Sequence, residues 1–306
     1  QANYGREDLR AIGWQLLGFA YKYTNDNTAA LVAFRQAANL RHRYETDTPA
    51  HASGLVQIAL LSREPANARA AEEAIERAIL AVPRGAQTMS LMNTLGQLRS
   101  GLGDYEGSLQ AVARAVAEID AHPHAEIAGR TINRLNYAWM SLKVRRDAAT
   151  AAQQLQRVRE EDAVNEGRSL NTGFALEVEA ILDRLRGSPE ESARKLAEAM
   201  AIANEFSGDS SPAYRRAEIE RMLSLAAAAD WAELQKACDA SLPAPGKDAN
   251  PRRGIGLALL ALHRSGAIEA GRVLAEQEVN TVSVQAVAYL WFALRDLQEA
   301  GVNLPT

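Results

Sequence analysis

The chain repeats itself, and that constrains its fold more than any other feature. Trp14, Leu17, Gly18 and Tyr21 are followed by Ala30, Phe34 and Ala37. The first four fall on one side of a helix, and the last three, at i, i+4 and i+7, mark the buried side of a second. The spacing predicts a hairpin of two helices, about Glu7–Tyr23 and Thr28–Leu40, with small Gly18 and Ala30 where the helices approach most closely. The slots recur at Ile58, Ala59, Ala71, Ile75 and Ala78, with Pro83 as the stop that a proline imposes on a helix. They recur again at Leu95, Gly96, the turn Gly103-Asp104-Tyr105, Ser108, Val112 and Ala115. Four blurred copies follow. They are Leu135–Trp139 with Ala148–Val158, then Leu176–Leu185 with Ser192, Leu196 and Ala199 across the turn Gly187-Ser188-Pro189. The last two are Ile219–Ala226 with Leu234–Cys238 across Asp230-Trp231, and Leu257–Leu262 with Ala270–Leu274 across Ser265-Gly266. Such a hairpin cannot cover its own apolar side and must stack on its neighbours.

The pattern W-x2-L-G-x2-Y followed by A-x3-F-x2-A resembles the tetratricopeptide-repeat (TPR) family over nearly the whole chain. The resemblance implies an all-α fold, an α-solenoid wound as a right-handed superhelix of about seven TPR-like hairpins. Ser283–Gly301 reads as a closing amphipathic helix, with Val284, Val287, Leu290, Trp291, Leu294 and Leu297 on one side. That side is expected to cap the last repeat. The period departs from the family's: Ala30, Ala71, Ser108, Ser192 and Ala270 imply roughly 40 residues per copy, against 34 for the usual repeat. Long connectors are expected at Arg41–Ala50, His122–Ala128, Glu160–Thr172, Phe206–Pro212 and Leu242–Pro251. The array is read as a single domain, 1–306, with a candidate sub-boundary at 242–251, where Pro243, Pro245 and Pro251 cluster.

Composition agrees. Hydrophobic residues make up 47% of the chain but aromatics only 6%, so Ala and Leu, the best helix formers, carry the core. A chain of 306 residues would ordinarily suggest about two domains, and the repeat replaces that expectation with one array. Cys238 is the single cysteine, which excludes an intrachain disulfide or a multi-Cys zinc site. The balance of 34 basic against 38 acidic residues leaves no electrostatic footprint for nucleic acid. No apolar run reaches the ~18 residues of a membrane span. The polar start, Gln1–Arg10, reads as no signal peptide, so a cytoplasmic protein is expected, or a periplasmic one if the N-terminus is processed.

Motifs of catalysis, phosphate binding and metalloprotease chemistry are missing, and Gly254-Ile255-Gly256 lacks the third glycine and the strand of a dinucleotide site. Cys238 occupies an apolar helix slot, and nothing places His263 beside it. His122-Pro123-His124, flanked by Glu118, Asp120 and Glu126, has the chemistry of metal ligands but reads better as a solvated connector. The pairs Arg41/Arg43, Arg145-Arg146, Arg215-Arg216 and Arg252-Arg253 are interleaved with acids and read as solvated faces. No enzyme activity, cofactor or metal is expected.

The best site comes from the resemblance, which implies that the first helices of successive hairpins line a concave groove. Carried over, the groove positions are Gln15, Phe19 and Lys22 in the first copy, Asn93, Gln97 and Ser100 in the third, and Asn133 and Tyr137 in the fourth. Amides that both donate and accept suit an extended peptide backbone, and the two rings offer anchors. The Lys/Asn carboxylate clamp of some family members is incomplete, because the lysines that should accompany Asn93 and Asn133 are missing. The expected function is a non-enzymatic module that binds a protein or peptide. The alternative is the effector-sensing solenoid of a larger bacterial regulator, since the long repeats resemble the sensors of maltose-activator-type regulators. That reading adds a small-molecule effector as partner. The pattern does not fix an oligomeric state.

Overall fold

The structure is a computed structural model. It describes residues 4–24, 26–43, 46–62, 64–83, 85–122, 129–162, 168–209, 211–241, 251–266, 269–270, 272–273, 292 and 295. Among these the regular structure is all helical. The helices are α1 (Tyr4–Tyr23), α2 (Asn27–His42), α3 (Pro49–Ser62), α4 (Pro65–Ala81), α5 (Ala86–Gly101), α6 (Tyr105–Ala121), α7 (Arg130–Met140) and α8 (Ala148–Asp162). They continue with α9 (Leu170–Leu185), α10 (Pro189–Ser207), α11 (Pro212–Ala227), α12 (Trp231–Ala240) and α13 (Pro251–Ser265). A π-helical turn, Ser141–Arg145, prolongs α7. Sequential pairing of these helices bears out the all-α reading as stacked hairpins. The chain divides into two compact units, Gln1–Asn133 and Arg134–Thr306, with the boundary inside α7. The candidate break at 242–250 and most of the 283–301 segment lie outside the described residues.

In the first unit, hairpins α1–α2, α3–α4 and α5–α6 bury the repeated slots. Ala30, Phe34 and Ala37, Ala71, Ile75 and Ala78, and Ala115 are all 0% exposed, so the i, i+4, i+7 triad marks the core side of every second helix. Small residues set how close the partner helix comes. A β-carbon on Gly96 would lie 2.9 Å from Val112 Cγ2, and Ser108 Oγ donates to the Gly96 carbonyl at 2.8 Å. The Ala-rich interior of Ala52, Val56, Ala59, Ala71, Ala74, Ile75, Ala78, Leu91, Leu95, Leu98 and Ala111 is continuous from α3 to α6.

The second unit repeats the plan with α7–α8, α9–α10 and α11–α12, followed by α13. Leu196, Leu234 and Cys238 take the buried slots, each 0% exposed. Cys238 is thus a small core hydrophobe, as its slot predicts.

One turn device recurs in both units. Asp26, Asp104, Asp147 and Asp230 each accept the backbone N–H three residues on, from Ala29, Gly107, Thr150 and Glu233, at 2.9, 2.8, 2.9 and 3.1 Å. Each satisfies a donor left unpaired at the start of a second helix. The residue before the cap is left-handed in four of the later turns, at Gly103, Arg146, Gly187 and Ala229.

Candidate functional site

The groove positions taken from the sequence fall into two groups. Those of α1 are engaged inside the first unit. Gln15 Oε1 accepts from Arg41 Nη1 at 2.6 Å, and Arg41 also donates to the Ala50 carbonyl at 3.3 Å. Phe19 meets Phe34 edge-on, with ring centroids 5.1 Å apart. Lys22 Nζ donates to Gln57 Oε1 at 2.8 Å, tying α1 to α3. Asn133 is buried, and its Nδ2 donates to the Gly129 carbonyl at 2.8 Å and approaches Met89 Sδ at 3.5 Å.

The α5 positions differ. Asn93, Gln97 and Ser100 sit at i, i+4 and i+7, within about 60° of one another around the helix. Gln97 is exposed and the other two are half-buried. None of the three side chains has a hydrogen-bond partner among the described residues. Leu95 and Leu98, 1% and 0% exposed, fix the rotation of α5 and so hold this polar stripe out of the core. Tyr137 on α7 is also half-buried, and no hydrogen bond to its hydroxyl occurs among the described residues.

The second unit holds a group of charges that the sequence did not reveal. Glu220 on α11, 1% exposed, joins two cations: Lys143 Nζ at 2.6 Å from Oε1 and Arg184 Nη2 at 2.7 Å from Oε2. Arg184 also donates to Ser224 Oγ at 3.0 Å, and Ser224 and Ser192 share a hydrogen bond of 2.8 Å. Glu177 accepts from Arg216 Nε at 2.6 and 2.8 Å, and the Arg216 guanidinium lies 4.1 Å above the Phe174 ring. Burial pushes the Glu177 carboxyl above its ordinary value while Arg216 pulls it back. Arg134, 2% exposed, is held by Glu161 at 2.8 Å and by Gln154 at 3.2 Å. Arg41 and Arg216 therefore correct the reading of two of the arginine pairs as solvated: in Arg41/Arg43 and Arg215-Arg216 the structure turns one arginine inward and leaves its neighbour, Arg43 or Arg215, exposed.

Other features are less built. Between α8, α9 and α10 lies a cleft of about 140 Å³, lined by Arg159, Glu179, Asp183, Arg186 and Lys195. Its Lys195 is already bound by Asp183 at 2.7 Å and Glu179 at 3.2 Å. Ligand pockets are ordinarily ~300 Å³ or more. His122 Nδ1 lies 3.0 Å from the Glu118 carbonyl, while Pro123, His124 and Glu126 lie outside the described residues. No group of three or more metal-ligating side chains occurs among the described residues. His263 stacks on Trp231 with ring centroids 3.9 Å apart. On α1, Leu9, Ile12 and Leu16 are 69%, 40% and 63% exposed, on the side opposite Ala11 and Gly18. No described helix is long and apolar enough to cross a membrane.

Neither a family model nor a curated protein matches the chain. Solved structures do. A tetratricopeptide repeat protein from Parabacteroides merdae superposes with a TM-score of 0.56 at 15% identity, covering 94% of this chain and 99% of that one. A variant of a putative kinesin light chain from Podosopora anserina, with nearly identical TPR-like repeats, gives a TM-score of 0.50 at 13% identity. It covers 64% of this chain and 95% of its own. At these identities the likeness is one of fold: the chain is built as a TPR-like helical solenoid.

Proposed function

We propose that the chain is a non-enzymatic interaction module whose binding surface for a protein or peptide includes the α5 stripe of Asn93, Gln97 and Ser100. The observation that carries this reading is the contrast between the two groups of groove positions. Gln15, Phe19, Lys22 and Asn133 interact within the first unit, whereas the three α5 side chains present donors and acceptors with no partner among the described residues. Two amides and a hydroxyl along one helix face match the alternating N–H and C=O groups of an extended peptide. The rigid hairpin stack holds them in place before the partner arrives, which lowers the ordering cost of binding.

A displayed library of random peptides, panned against the wild-type chain and against the Asn93→Ala/Gln97→Ala/Ser100→Ala variant, tests this. Sequences enriched on the wild type are expected to lose at least about tenfold in affinity for the variant, about 1.4 kcal/mol shared by three polar contacts. Equal enrichment on both would remove the stripe from the function.

A further inference from the structure

The outer side of α1 is apolar from Leu9 to Tyr21, with Arg10 as the one charged residue in that stretch. Leu9, Leu16 and Leu17 are 69%, 63% and 45% exposed, with Ile12 at 40% and Tyr21 at 37%. Single exposed leucines are ordinary on a protein surface. A continuous apolar patch along one helix face marks a contact surface.

The repeat shows what such a face receives. Gly13, Leu17 and Ala20 take the same repeat positions as Leu91, Leu95 and Leu98 of α5. There the three leucines are 2%, 1% and 0% exposed, in one core with Ala74, Ile75 and Ala78 of α4. In α3 the Leu17 position is held by Ile58, 6% exposed and clustered with Ala30, Phe34 and Ala38 of α2. Each of those faces is covered by a helix of the hairpin before it. The same face of α1 stands open, and its shape is that of a helix-receiving surface.

The order of residues on α1 suits a second copy of α1. Leu9, Gly13, Leu16 and Ala20 lie within about 60° of one another around the helix and alternate large and small along it. A two-fold interface must fit itself. Two antiparallel α1 helices, with the axis level with the midpoint of residues 14 and 15, set Leu9 of one copy opposite Ala20 of the other. The same operation sets Leu16 opposite Gly13, where nothing stands within 4 Å of the place a β-carbon would take. Every leucine of the seam thus meets a small residue. Glu7 and Asp8 lie about 100° or more from the seam, so the pairing buries no acid. Arg10 and Tyr21 share one flank, which brings the guanidinium of each copy to the ring of the other. The two Arg10 residues stay about 14 Å apart along the axis.

We propose that α1 is the interface of a homodimer in which two copies pair antiparallel through Leu9, Gly13, Leu16 and Ala20. One helix face per copy buries less than the ~1,200 Å² of a standard interface, so the dimer is weak and concentration-dependent. The proposal does not rest on the α5 stripe.

Sedimentation of the full chain from about 1 μM to about 1 mM, the span in which a small interface dissociates, tests this. The wild type is expected to pass from monomer to dimer. Leu16→Glu, on an exposed residue, is expected to keep the helical circular-dichroism signal and weaken dimerisation at least about a hundredfold, tenfold for each carboxylate set in the seam. The register is read by charge pairing. Leu9→Lys and Ala20→Glu chains are each expected to be monomeric alone and to dimerise when mixed, because only the antiparallel register sets position 9 against position 20. A wild type that stays monomeric throughout overturns the proposal and leaves the face to a different protein. A Leu16→Glu chain that still dimerises overturns it too, as does a mixture that stays monomeric.

Discussion

Gly18 faces Phe34 so closely that a β-carbon at position 18 would stand 2.7 Å from the ring's Cε1. Phe34 is 0% exposed and cannot swing away, so the helices would have to part. Gly18→Ala gains up to ~1 kcal/mol of helix propensity but incurs an overpacking cost of about 1–3 kcal/mol. A net loss of about 1 kcal/mol is expected in urea unfolding. Adding Phe34→Leu should recover part of the loss, giving a positive coupling in a double-mutant cycle. Additive losses would show that the contact does not set the helix separation.

Ala229 occupies the left-handed position before a capping aspartate, at φ 57°, where the equivalent turn before Asp104 carries Gly103. A non-glycine residue there costs about 1 kcal/mol, part of which is offset by the greater freedom of glycine in the unfolded chain. Ala229→Gly is expected to stabilise the chain by about 0.5 kcal/mol, read as a higher urea midpoint with an unchanged slope. A fall in the midpoint would mean that Ala229 makes contacts that outweigh the strain.

Why the hairpins were legible, and the charges were not, follows from distance along the chain. Ala30, Phe34 and Ala37 belong to one helix, and the rule that buries them is local. So is the rule behind the caps Asp26, Asp104, Asp147 and Asp230, each set by the N–H three residues on. Glu220 meets Lys143 and Arg184 across 77 and 36 positions (220 − 143 and 220 − 184), and no period in the sequence links them. The candidate groove divided for the same reason. Whether Gln15 meets a partner or Arg41 depends on where α2 ends, whereas the α5 stripe is isolated by its own helix's leucines.

His51 is 3% exposed, and burial lowers its pKa below the ordinary 6.5 of a histidine, aided by nearby His42, Arg41 and Arg77 and opposed by Asp47. A histidine whose folded pKa is depressed favours the unfolded state once protons bind there first. Stability of the first unit is therefore expected to be highest above 6.5 and to fall as pH drops through 6.5 toward the lower folded value. His51→Gln should flatten that slope between pH ~7 and ~5 while lowering stability at neutral pH. An unchanged slope in urea titrations across this range would assign the acid sensitivity to other groups.

Glu220 is the carboxylate shared by Lys143 and Arg184, with all three side chains under 10% exposed at 1%, 0% and 7%. Glu220→Gln removes the only negative charge of that triad and leaves two buried cations facing a neutral amide. Removing one partner from a buried pair typically costs about 3–5 kcal/mol, so this variant is expected to lose at least about 3 kcal/mol. Lys143→Met instead removes one cation and leaves Glu220 with Arg184 at 2.7 Å, a neutral pair. Replacing a buried charge by an apolar chain of similar length is often tolerated, so the loss should be smaller, about 1 kcal/mol. Urea unfolding followed by circular dichroism gives the order directly. If Lys143→Met proved the more damaging, the lysine would be stabilising α7 through its packing rather than through the charge it shares with Glu220.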